Sequence, residues 1–552
     1  MIPRPHMLSV VLSGLFIVGG SAAQPPARDQ PPNSRAGTGA IRGRVLRADT
    51  GEPLRRVRVH IDEWSAKDQN GPVSTMTDAE GHYELTQLPA GSYHLRATRA
   101  GYVELAFGQR RPFERGRPVE LAEGAVLQNI DFALPPGAVV TGRVVDEIGE
   151  AVAQVWVSLA RRRYIEGERR LVAQAGSSTD DRGDFRIYGV PPGEYIMIAT
   201  FSDVDLGSRD QVRYVPTYYP ATPLASEAQR ITVGPAQEIS NITIALARSS
   251  TATVRGVVRS SGQASVASGT FITAREIGGG ARADGHIAMA VAGSDGAFAV
   301  GGLLPGSYVV EARSMLGSEL ASREVVVEGS DVTGVSLMLS GGASARGRIV
   351  FDTGKPPAGL RPSQVFIVST PLERDRGGTE MNSGPPVARD DWSFELRGLR
   401  GHGFVAAGTF PEDWRMKRVR REGIDITDTP LDFSTDVDEL EIELTQRVTV
   451  VSGAVSGDRN GAALDATVVV FADDEGKWVP HSRSIESARL DQQGKFTIRG
   501  LPPGKYVAIA VGYLEPGEEQ DPELLHEWRP RGTSFTLLEG ETHALELKLS
   551  GS

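Results

Sequence analysis

The chain contains no cysteine among its 552 residues. Disulfide bonds, a catalytic thiol and lipidation of an N-terminal cysteine are therefore excluded. An excess of positive charge is also missing, because 59 Lys and Arg residues stand against 70 Asp and Glu residues, a net charge of −11. Nucleic-acid-binding proteins normally carry a basic surface, so we do not expect a nucleic-acid partner.

Sustained helical periodicity is absent as well, which predicts few helices. Past the N-terminus, no segment is apolar enough to cross a bilayer as a helix. Two local basic runs, residues 161–163 and 415–421, depart from the acidic balance. Because each run lies beside acidic residues, we interpret both as solvated charge on loops.

The N-terminus has the pattern of a secretory signal. Arg4 precedes an apolar run over residues 8–20, and the small residues Ser21-Ala22-Ala23 follow. This order predicts a signal peptide over residues 1–23, with an uncleaved N-terminal anchor as the alternative. Residues 24–39 are rich in Pro, Arg, Ser and Gly and predict a flexible linker. We therefore expect an exported protein, periplasmic or extracellular.

The chain repeats one phrase five times, roughly once per 100 residues. Each copy runs from an Asp-containing turn to a turn that leads into an aromatic residue. The copies lie at residues 77–93, 179–195, 294–308, 389–404 and 490–506, and the fourth has lost its Pro-Gly turn. A fixed period of this kind indicates one supersecondary unit used repeatedly.

The strands between these turns show the alternation of half-buried β-structure. A Gly-x-Val phrase opens each unit, and Val57, Val59 and Ile61 then share one face of a strand. Short alternating strands with regular turns predict β-sandwiches. The expected fold is all-β, a tandem array of five Greek-key sandwiches after the signal peptide. The predicted domains are residues 40–135, 136–247, 248–340, 341–445 and 446–552, arranged as an elongated monomer.

These motifs resemble a known family. Gly43-Arg44-Val45, Gly51-Glu52-Pro53-Leu54, the Thr-Asp-x-x-Gly turn and Leu501-Pro502-Pro503-Gly504-Lys505-Tyr506 are similar to the carboxypeptidase regulatory-like domain. The resemblance implies a transthyretin-like sandwich, grouped with carbohydrate-binding-like folds, in five tandem copies. It is strongest in units one, two and five and poorest in unit four. The family is an accessory domain, so the resemblance implies no peptidase activity.

A search for catalytic groups gives only weak candidates. His60 and Glu63 have part of a zinc-site spacing, but residues three apart on a strand point to opposite faces. The acidic turns at Asp180-Asp181 and Asp390-Asp391 fit Asx turns better than calcium loops. No serine lies in a nucleophile-elbow motif. We therefore expect no catalytic residue, no metal and no cofactor.

Aromatic residues are the remaining candidates for ligand binding. Aromatic faces stack on sugar rings, and sandwiches place binding residues on crossover loops. The candidates are Trp156, on the expected solvent face of its strand, and Tyr214, Tyr218, Tyr219, Trp414 and Trp528, in or near crossovers. The alternative is that these rings fold back and cover the ends of their own sandwiches.

The leading interpretation is an exported, non-catalytic, multi-domain binding or scaffold protein. Its ligand would be a polysaccharide or another cell-surface polymer, as the family resemblance implies. A second interpretation is a structural spacer or protein-interaction arm in the periplasm, with an envelope protein as partner. An enzyme is the third, and no constellation of catalytic groups supports it.

Overall fold

A computed structural model describes residues 37–61, 73–165, 167–201, 212–260, 269–277, 287–314, 319–357, 360–372, 387–408, 414–457 and 465–550. The predicted signal peptide, nearly all of the predicted linker, and Glu63 lie outside these residues. Within them the structure is almost entirely β, which confirms the predicted class. None of the helices described there is long and apolar enough to span a membrane.

The first domain has three sheets, in the orders β10-β1-β4, β3-β2-β6-β7 and β5-β8, with β9 beside β1. Its strands are β1 (Gly39–Arg47), β2 (Arg58–Ile61), β3 (Ser74–Met76), β4 (His82–Leu88), β5 (Gly91–Tyr93), β6 (Leu95–Thr98), β7 (Leu105–Ala106), β8 (Val119–Leu121), β9 (Val126–Leu127) and β10 (Phe132–Leu134).

The second domain has sheets β14-β11-β19 and β13-β12-β15-β17, with β18 beside β15 and a separate pair β16-β20. Its strands are β11 (Ala138–Val145), β12 (Val155–Ile165), β13 (Glu168–Ser178), β14 (Asp184–Val190), β15 (Gly193–Phe201), β16 (Val212–Tyr214), β17 (Thr217–Tyr218), β18 (Arg230–Val233), β19 (Glu238–Ala245) and β20 (Arg248–Ser250). The hairpin β12-β13 is the longest in this domain and extends toward the fifth domain.

The third domain has sheets β24-β21-β27 and β23-β22-β25-β26. Its strands are β21 (Ala252–Ser260), β22 (Phe271–Glu276), β23 (Ile287–Val291), β24 (Ala297–Leu303), β25 (Gly306–Arg313), β26 (Leu320–Val327) and β27 (Val332–Leu339). The fourth domain has sheets β30-β28-β35-β32-β33 and β29-β31-β34. Its strands are β28 (Ala343–Phe351), β29 (Ile367–Pro371), β30 (Ser393–Leu399), β31 (His402–Ala407), β32 (Arg415–Arg421), β33 (Ile424–Asp425), β34 (Leu431–Asp432) and β35 (Val437–Thr445).

The fifth domain has sheets β39-β36-β42 and β38-β37-β40-β41. Its strands are β36 (Val450–Ser456), β37 (Thr467–Ala472), β38 (Ile485–Arg489), β39 (Lys495–Arg499), β40 (Gly504–Val511), β41 (Thr533–Leu537) and β42 (Thr542–Lys548). A short helix, α1 (Pro522–Trp528), lies in the crossover between β40 and β41. Asp521 caps it, because its side chain accepts a hydrogen bond from the Glu523 amide.

All five domains share one topology around the opening strand. This strand pairs antiparallel with the strand after the Asp turn and parallel with the closing strand, as β1 does with β4 and β10. The Gly-x-Val glycines lie where the closing strand comes closest. A Cβ on Gly43, Gly142, Gly256, Gly347 or Gly453 would lie 1.8–2.2 Å from a carbonyl oxygen in, or just before, that strand. No side chain fits there, which explains the repeated glycine.

The tyrosine after each Pro-Gly turn anchors its strand. In four domains its hydroxyl donates to the carbonyl four residues earlier, at 2.6–3.0 Å. Tyr195, Tyr308 and Tyr506 are at most 1% exposed. The prediction that Tyr195 and Tyr506 are buried core residues is therefore confirmed. Phe404 occupies this place in the fourth domain and has no hydroxyl to make the bond.

In the acidic turns, an Asp side chain accepts hydrogen bonds from backbone amides of the same turn. The Asp180 carboxylate accepts hydrogen bonds from the amides of Arg182 and Asp184, both at 2.9 Å. Asp491 does the same for Gln493 and Lys495. These bonds confirm the Asx-turn interpretation. In the fourth domain Asp391, rather than Asp390, provides the acceptor.

Five separate hydrophobic clusters form the cores of the sandwiches. They lie within residues 41–134, 138–246, 252–339, 343–444 and 451–547. The second and fifth domains each add a cluster on the outer face of a sheet. In the fifth domain this extra cluster includes Trp478, Leu525 and Trp528, so α1 covers a sheet that would otherwise face solvent.

The array folds back on itself, so the predicted elongated arrangement is wrong. Gln492 of the fifth domain donates to the Glu120 carbonyl at 3.0 Å, and the Glu120 amide donates to the Gln492 side chain at 3.1 Å. Arg115 of the first domain also pairs with Glu519 at 2.6 Å. The physical reason is charge complementarity between an acidic segment, residues 515–523, and basic segments of the first two domains.

Candidate functional site

The crossover of the first domain, residues 107–118, docks on the fifth domain. Arg115 lies against Glu519, which is almost fully buried. The Tyr513 hydroxyl lies 3.1 Å from the Pro112 carbonyl oxygen and 2.9 Å from Glu515 Oε1. Burial raises the pKa of the Tyr513 phenol, so this hydroxyl stays a hydrogen-bond donor. The crossover is thus an interdomain contact.

Arg161 joins three domains at one point. Its Nη2 lies 2.9 Å from Glu515 Oε1 of the fifth domain. Its guanidinium also lies 3.6 Å from the centre of the Phe113 ring of the first domain. The Arg161 and Glu515 side chains are 16% and 11% exposed, so water screens the pair little. Such a pair holds the three domains in one arrangement.

The two basic runs are strands, which corrects their interpretation as loop charge. Residues 161–163 lie in β12, and residues 415–421 form β32. Alternation along β32 turns Arg418 and Arg420 toward Glu443, at 2.7 and 3.1 Å. A strand backbone gives these arginines fixed positions, in contrast to the averaged charge of a loop.

A cleft of about 1700 Å³ lies where the first, second and fifth domains meet, and Arg415 of the fourth domain reaches it. We call it the interdomain cleft. Ten Arg and Lys side chains line it, against four carboxylates. This ratio reverses the charge balance of the whole chain, which is −11. The domains therefore concentrate positive charge at their junction.

Strand alternation supplies the wall from the first domain. Val57 and Val59 are fully buried, while Arg58 between them points outward into the cleft. Arg96 on the neighbouring strand β6 also lines the cleft and pairs with Glu104 at 2.6 Å. Arg58 is exposed, so its guanidinium is accessible to a ligand in the cleft.

The wall from the fifth domain follows the same rule. Lys495, Thr497 and Arg499 alternate along β39 and line the cleft, while Phe496 and Ile498 point into the core. The three outward residues are exposed, so their side chains are accessible from the cleft. Two cations and a hydroxyl on one strand face form a row of hydrogen-bond donors.

Arg489 is the most deeply buried cation of the cleft, with 5% exposure. Within the described part of the chain its Nε and Nη1 have no hydrogen-bond partner. Nη1 lies 3.6 Å from Glu114 Oε2, and Nη2 donates to the Gly108 carbonyl at 3.4 Å. Burial lowers the pKa of Arg489, because desolvation disfavours its charged form. Unsatisfied buried donors are costly, and an acceptor in the cleft would satisfy them.

Two tyrosines add aromatic surface to the cleft. Tyr188 is 54% exposed and lies just before the Pro-Pro-Gly turn of the second domain. Tyr102 of the first domain also lines the cleft, and the Arg99 guanidinium lies 5.0 Å from its ring centre. Rings beside arginines combine a stacking surface with charged donors.

The aromatic residues predicted from sequence lie elsewhere, and none of the six lines the cleft. Tyr218, Trp414 and Trp528 are 0%, 4% and 6% exposed, so they present no face to a ligand. Tyr218 and Trp528 belong to the clusters on the outer faces of their sheets. Trp414 packs edge-on against Phe351 at 5.6 Å. The expectation that these three rings are accessible is wrong, because each covers its own domain.

The other three predicted residues are more open. Trp156 is 46% exposed, as expected for the solvent face of β12, and its ring lies over Gly176. Tyr214 is held edge-on by Phe201 at 5.7 Å, and the Arg248 guanidinium lies 4.6 Å from its ring centre. Tyr219 packs against the core of the second domain. The six residues therefore do not form one site.

Comparison with known proteins supports the family resemblance in one domain. Residues 40–135 match the carboxypeptidase regulatory-like domain family, which confirms the resemblance there. A comparison with curated proteins found no match to the chain in sequence.

Three solved structures are similar to parts of the chain. The Bacillus anthracis TIE protein is 13% identical over 55% of this chain and 50% of its own, with a TM-score of 0.15. The streptococcal ancillary pilin is 14% identical over 55% of this chain and 98% of its own, with a TM-score of 0.19. The minor pilin GBS52 of Streptococcus agalactiae is 14% identical over 38% of this chain and 95% of its own, with a TM-score of 0.19. The chain thus spans half the length of the TIE protein.

Proposed function

We propose that this protein is an exported, non-catalytic scaffold that holds a cell-surface polymer in the interdomain cleft. The five domains act as one folded-back unit, and carbohydrate is the first polymer class to test. One observation carries the proposal: a single cleft collects ten cations and two tyrosines from separate domains. A ligand there contacts several domains at once.

The construction of the cleft supports binding rather than catalysis. Its acidic residues are outnumbered, and Glu104 and Glu114 already face arginines of the wall. General acid–base chemistry needs titratable groups free to exchange protons, whereas fixed arginines and hydroxyls suit recognition. Rigid docking at Arg161 keeps these donors in place before a ligand arrives, which lowers the entropy cost of binding.

A protein-interaction arm is the second candidate, and the third domain favours it. Met289 and Val291 are 61% and 49% exposed on β23, the edge strand of its sheet. Phe271, on the adjacent strand β22, is 41% exposed. Exposed apolar residues at a sheet edge are a common docking surface for another chain.

Affinity electrophoresis of the full mature chain through gels containing neutral or acidic polysaccharides tests the proposal. At least one polysaccharide should retard the protein, and Arg161→Ala should reduce the retardation because the cleft opens. Arg230→Ala serves as the matched control, since Arg230 lies in an exposed pair with Glu194 within the second domain. If no polysaccharide retards the protein while one envelope protein is captured, the protein-interaction alternative is correct.

A further inference from the structure

We infer that the interdomain cleft takes an acidic polysaccharide, a polymer whose sugar units carry carboxylates. This inference rests on the proposed function and names its ligand class. A neutral glycan offers hydroxyls, which need no surplus of cations. A polyuronate offers one carboxylate per sugar at regular intervals, which matches cations set along strands.

The cations of the cleft are suited to carboxylates. Nine of the ten are arginines. A guanidinium binds a carboxylate through two parallel hydrogen bonds, which a lysine cannot do. Arg58 and Arg499 are exposed in the cleft, one on the wall from the first domain and one on the wall from the fifth. A chain of carboxylates lying in the cleft can therefore contact both walls.

Arg489 supplies the second observation, independent of the surface charge. Its side chain is more than nine-tenths buried, and its Nε and Nη1 have no hydrogen-bond partner among the described residues. Glu114 is the nearest carboxylate, at 3.6 Å, beyond hydrogen-bond distance. A ligand carboxylate that reaches Arg489 would accept hydrogen bonds from its Nε and Nη1. Because Arg489 is buried, dissolved salt would screen this interaction little.

Tyr102 and Tyr188 favour a sugar over a simple anion. Their rings lie in the cleft beside the arginines. Sugar rings stack on aromatic faces through their C–H groups, and inorganic phosphate or sulfate does not. The volume of about 1700 Å³ exceeds the range typical for one small ligand, so it suits a run of sugar units.

Nucleic acid is the competing polyanion, and the charge of the chain disfavours it. The net charge is −11, and the cleft holds ten of the 59 Lys and Arg residues but only four of the 70 Asp and Glu residues, so the rest of the chain is more acidic than the average. Double-stranded nucleic acid carries about one negative charge per 1.7 Å of its length, a higher density than one carboxylate per sugar, so beyond the cleft it would meet stronger repulsion than a polyuronate. The binding test below includes single-stranded DNA to decide this point.

The experiment measures binding of the full mature chain to polygalacturonate by titration calorimetry. Fully methyl-esterified polygalacturonate is the matched ligand, because it keeps the sugar backbone and loses the charge. The test variant removes three exposed cleft cations, Arg58→Ala, Lys495→Ala and Arg499→Ala. The control variant removes three exposed cations of the third and fourth domains, Arg259→Ala, Arg323→Ala and Lys355→Ala.

We expect polygalacturonate to bind and its methyl ester to bind at least about tenfold more weakly, since charge-assisted contacts dominate. The cleft variant should lose roughly tenfold or more in affinity, whereas the control variant should stay within about threefold. Thermal unfolding of both variants should match the parent chain, because all six residues are exposed.

Three results would overturn the inference. If the methyl ester binds as well as the acid, polymer binding stands but the ligand is not selected by charge. If neither these polymers nor any other polysaccharide binds, the proposed function fails together with the inference. If single-stranded DNA binds more tightly than polygalacturonate and the cleft variant loses that binding, the cleft is a nucleic-acid site.

Discussion

Arg161 and Glu515 lie 354 residues apart in sequence, and their side chains meet at 2.9 Å. Arg161 belongs to a long hairpin of the second domain, and Glu515 to the crossover of the fifth. Phe113 of the first domain lies under the same guanidinium. The pair therefore joins the second domain to the fifth beside Phe113, which lines the interdomain cleft.

Arg161→Ala should open this junction. Loss of one partner from a buried ion pair typically costs about 2–5 kcal/mol, because the other charge stays buried and unpaired. Small-angle scattering should show a larger radius of gyration, and higher salt should enlarge it further. Arg230→Ala, which removes an exposed pair within one domain, should leave the radius unchanged. An unchanged radius for Arg161→Ala would mean that other contacts suffice for docking.

Tyr506 should stabilise the fifth domain mainly through burial of its ring. Its ring is 1% exposed and its hydroxyl donates to the Pro502 carbonyl at 2.6 Å, while burial raises the pKa of Tyr506 to about 12. Tyr506→Ala should cost the fifth domain about 3–5 kcal/mol, and Tyr506→Phe about 1 kcal/mol. Calorimetry of the full chain measures both. Equal costs for the two variants would show that the hydroxyl, rather than ring burial, holds the strand.

Gly142→Ala should destabilise the second domain. The added Cβ would lie 2.1 Å from the Ile242 carbonyl oxygen, so the parallel strands must separate. Overpacking of this kind costs about 1–3 kcal/mol. Gly512→Ala is the control, because nothing lies within 4 Å of its added Cβ. A Gly142→Ala variant that unfolds at the parent temperature would show that the closing strand moves aside freely.

The contribution of Glu395 to the stability of the fourth domain should depend on pH. Hydrogen bonds from Arg397 and Arg346, joined by Arg389, lower the pKa of Glu395 to about 2 from its ordinary 4.5. The folded state therefore favours the ionised form. Its stabilising effect is fully present above pH 4.5 and is lost as the pH falls toward 2.

Glu395→Gln tests this pH dependence. The melting temperature of the variant should lie below that of the parent at pH 7, and the difference should shrink as the pH falls below 4.5. Glu84→Gln, which removes an exposed carboxylate with one arginine partner, should show a smaller difference at pH 7. A Glu395→Gln difference that does not change with pH would contradict the assigned pKa.

Local features of the fold could be predicted from the sequence, because short-range rules determine them. The alternation at Val57 and Val59, the Asx turn at Asp180 and the buried ring of Tyr195 each depend on a few neighbouring residues. Short-range rules do not give the strand order of a sandwich, which depends on pairing between distant segments. They say nothing about how one sandwich meets another.

The interdomain cleft could not be predicted from the sequence, because short-range rules do not determine how the sandwiches pack together. The cleft exists only because side chains such as Arg58 and Arg499 are brought together from distant domains. The alternating polar residues Lys495, Thr497 and Arg499 were a visible signal, but exposed polar residues are normal on any sandwich. The aromatic prediction failed at Trp528, because Asp521 and Pro522 start a short helix that carries Trp528 and packs its ring against the sheet.

The central claim is that the first and fifth domains touch in solution. Because the chain has no cysteine, Glu120→Cys with Gln492→Cys places the only two thiols at a contact where the parent residues exchange hydrogen bonds at 3.0 and 3.1 Å. Ser92→Cys with Glu120→Cys is the control pair, on neighbouring strands of the first domain. A short bifunctional thiol crosslinker should join both pairs within one chain at low protein concentration. A crosslink in the control pair but none between residues 120 and 492 would contradict the folded-back array and the cleft that depends on it.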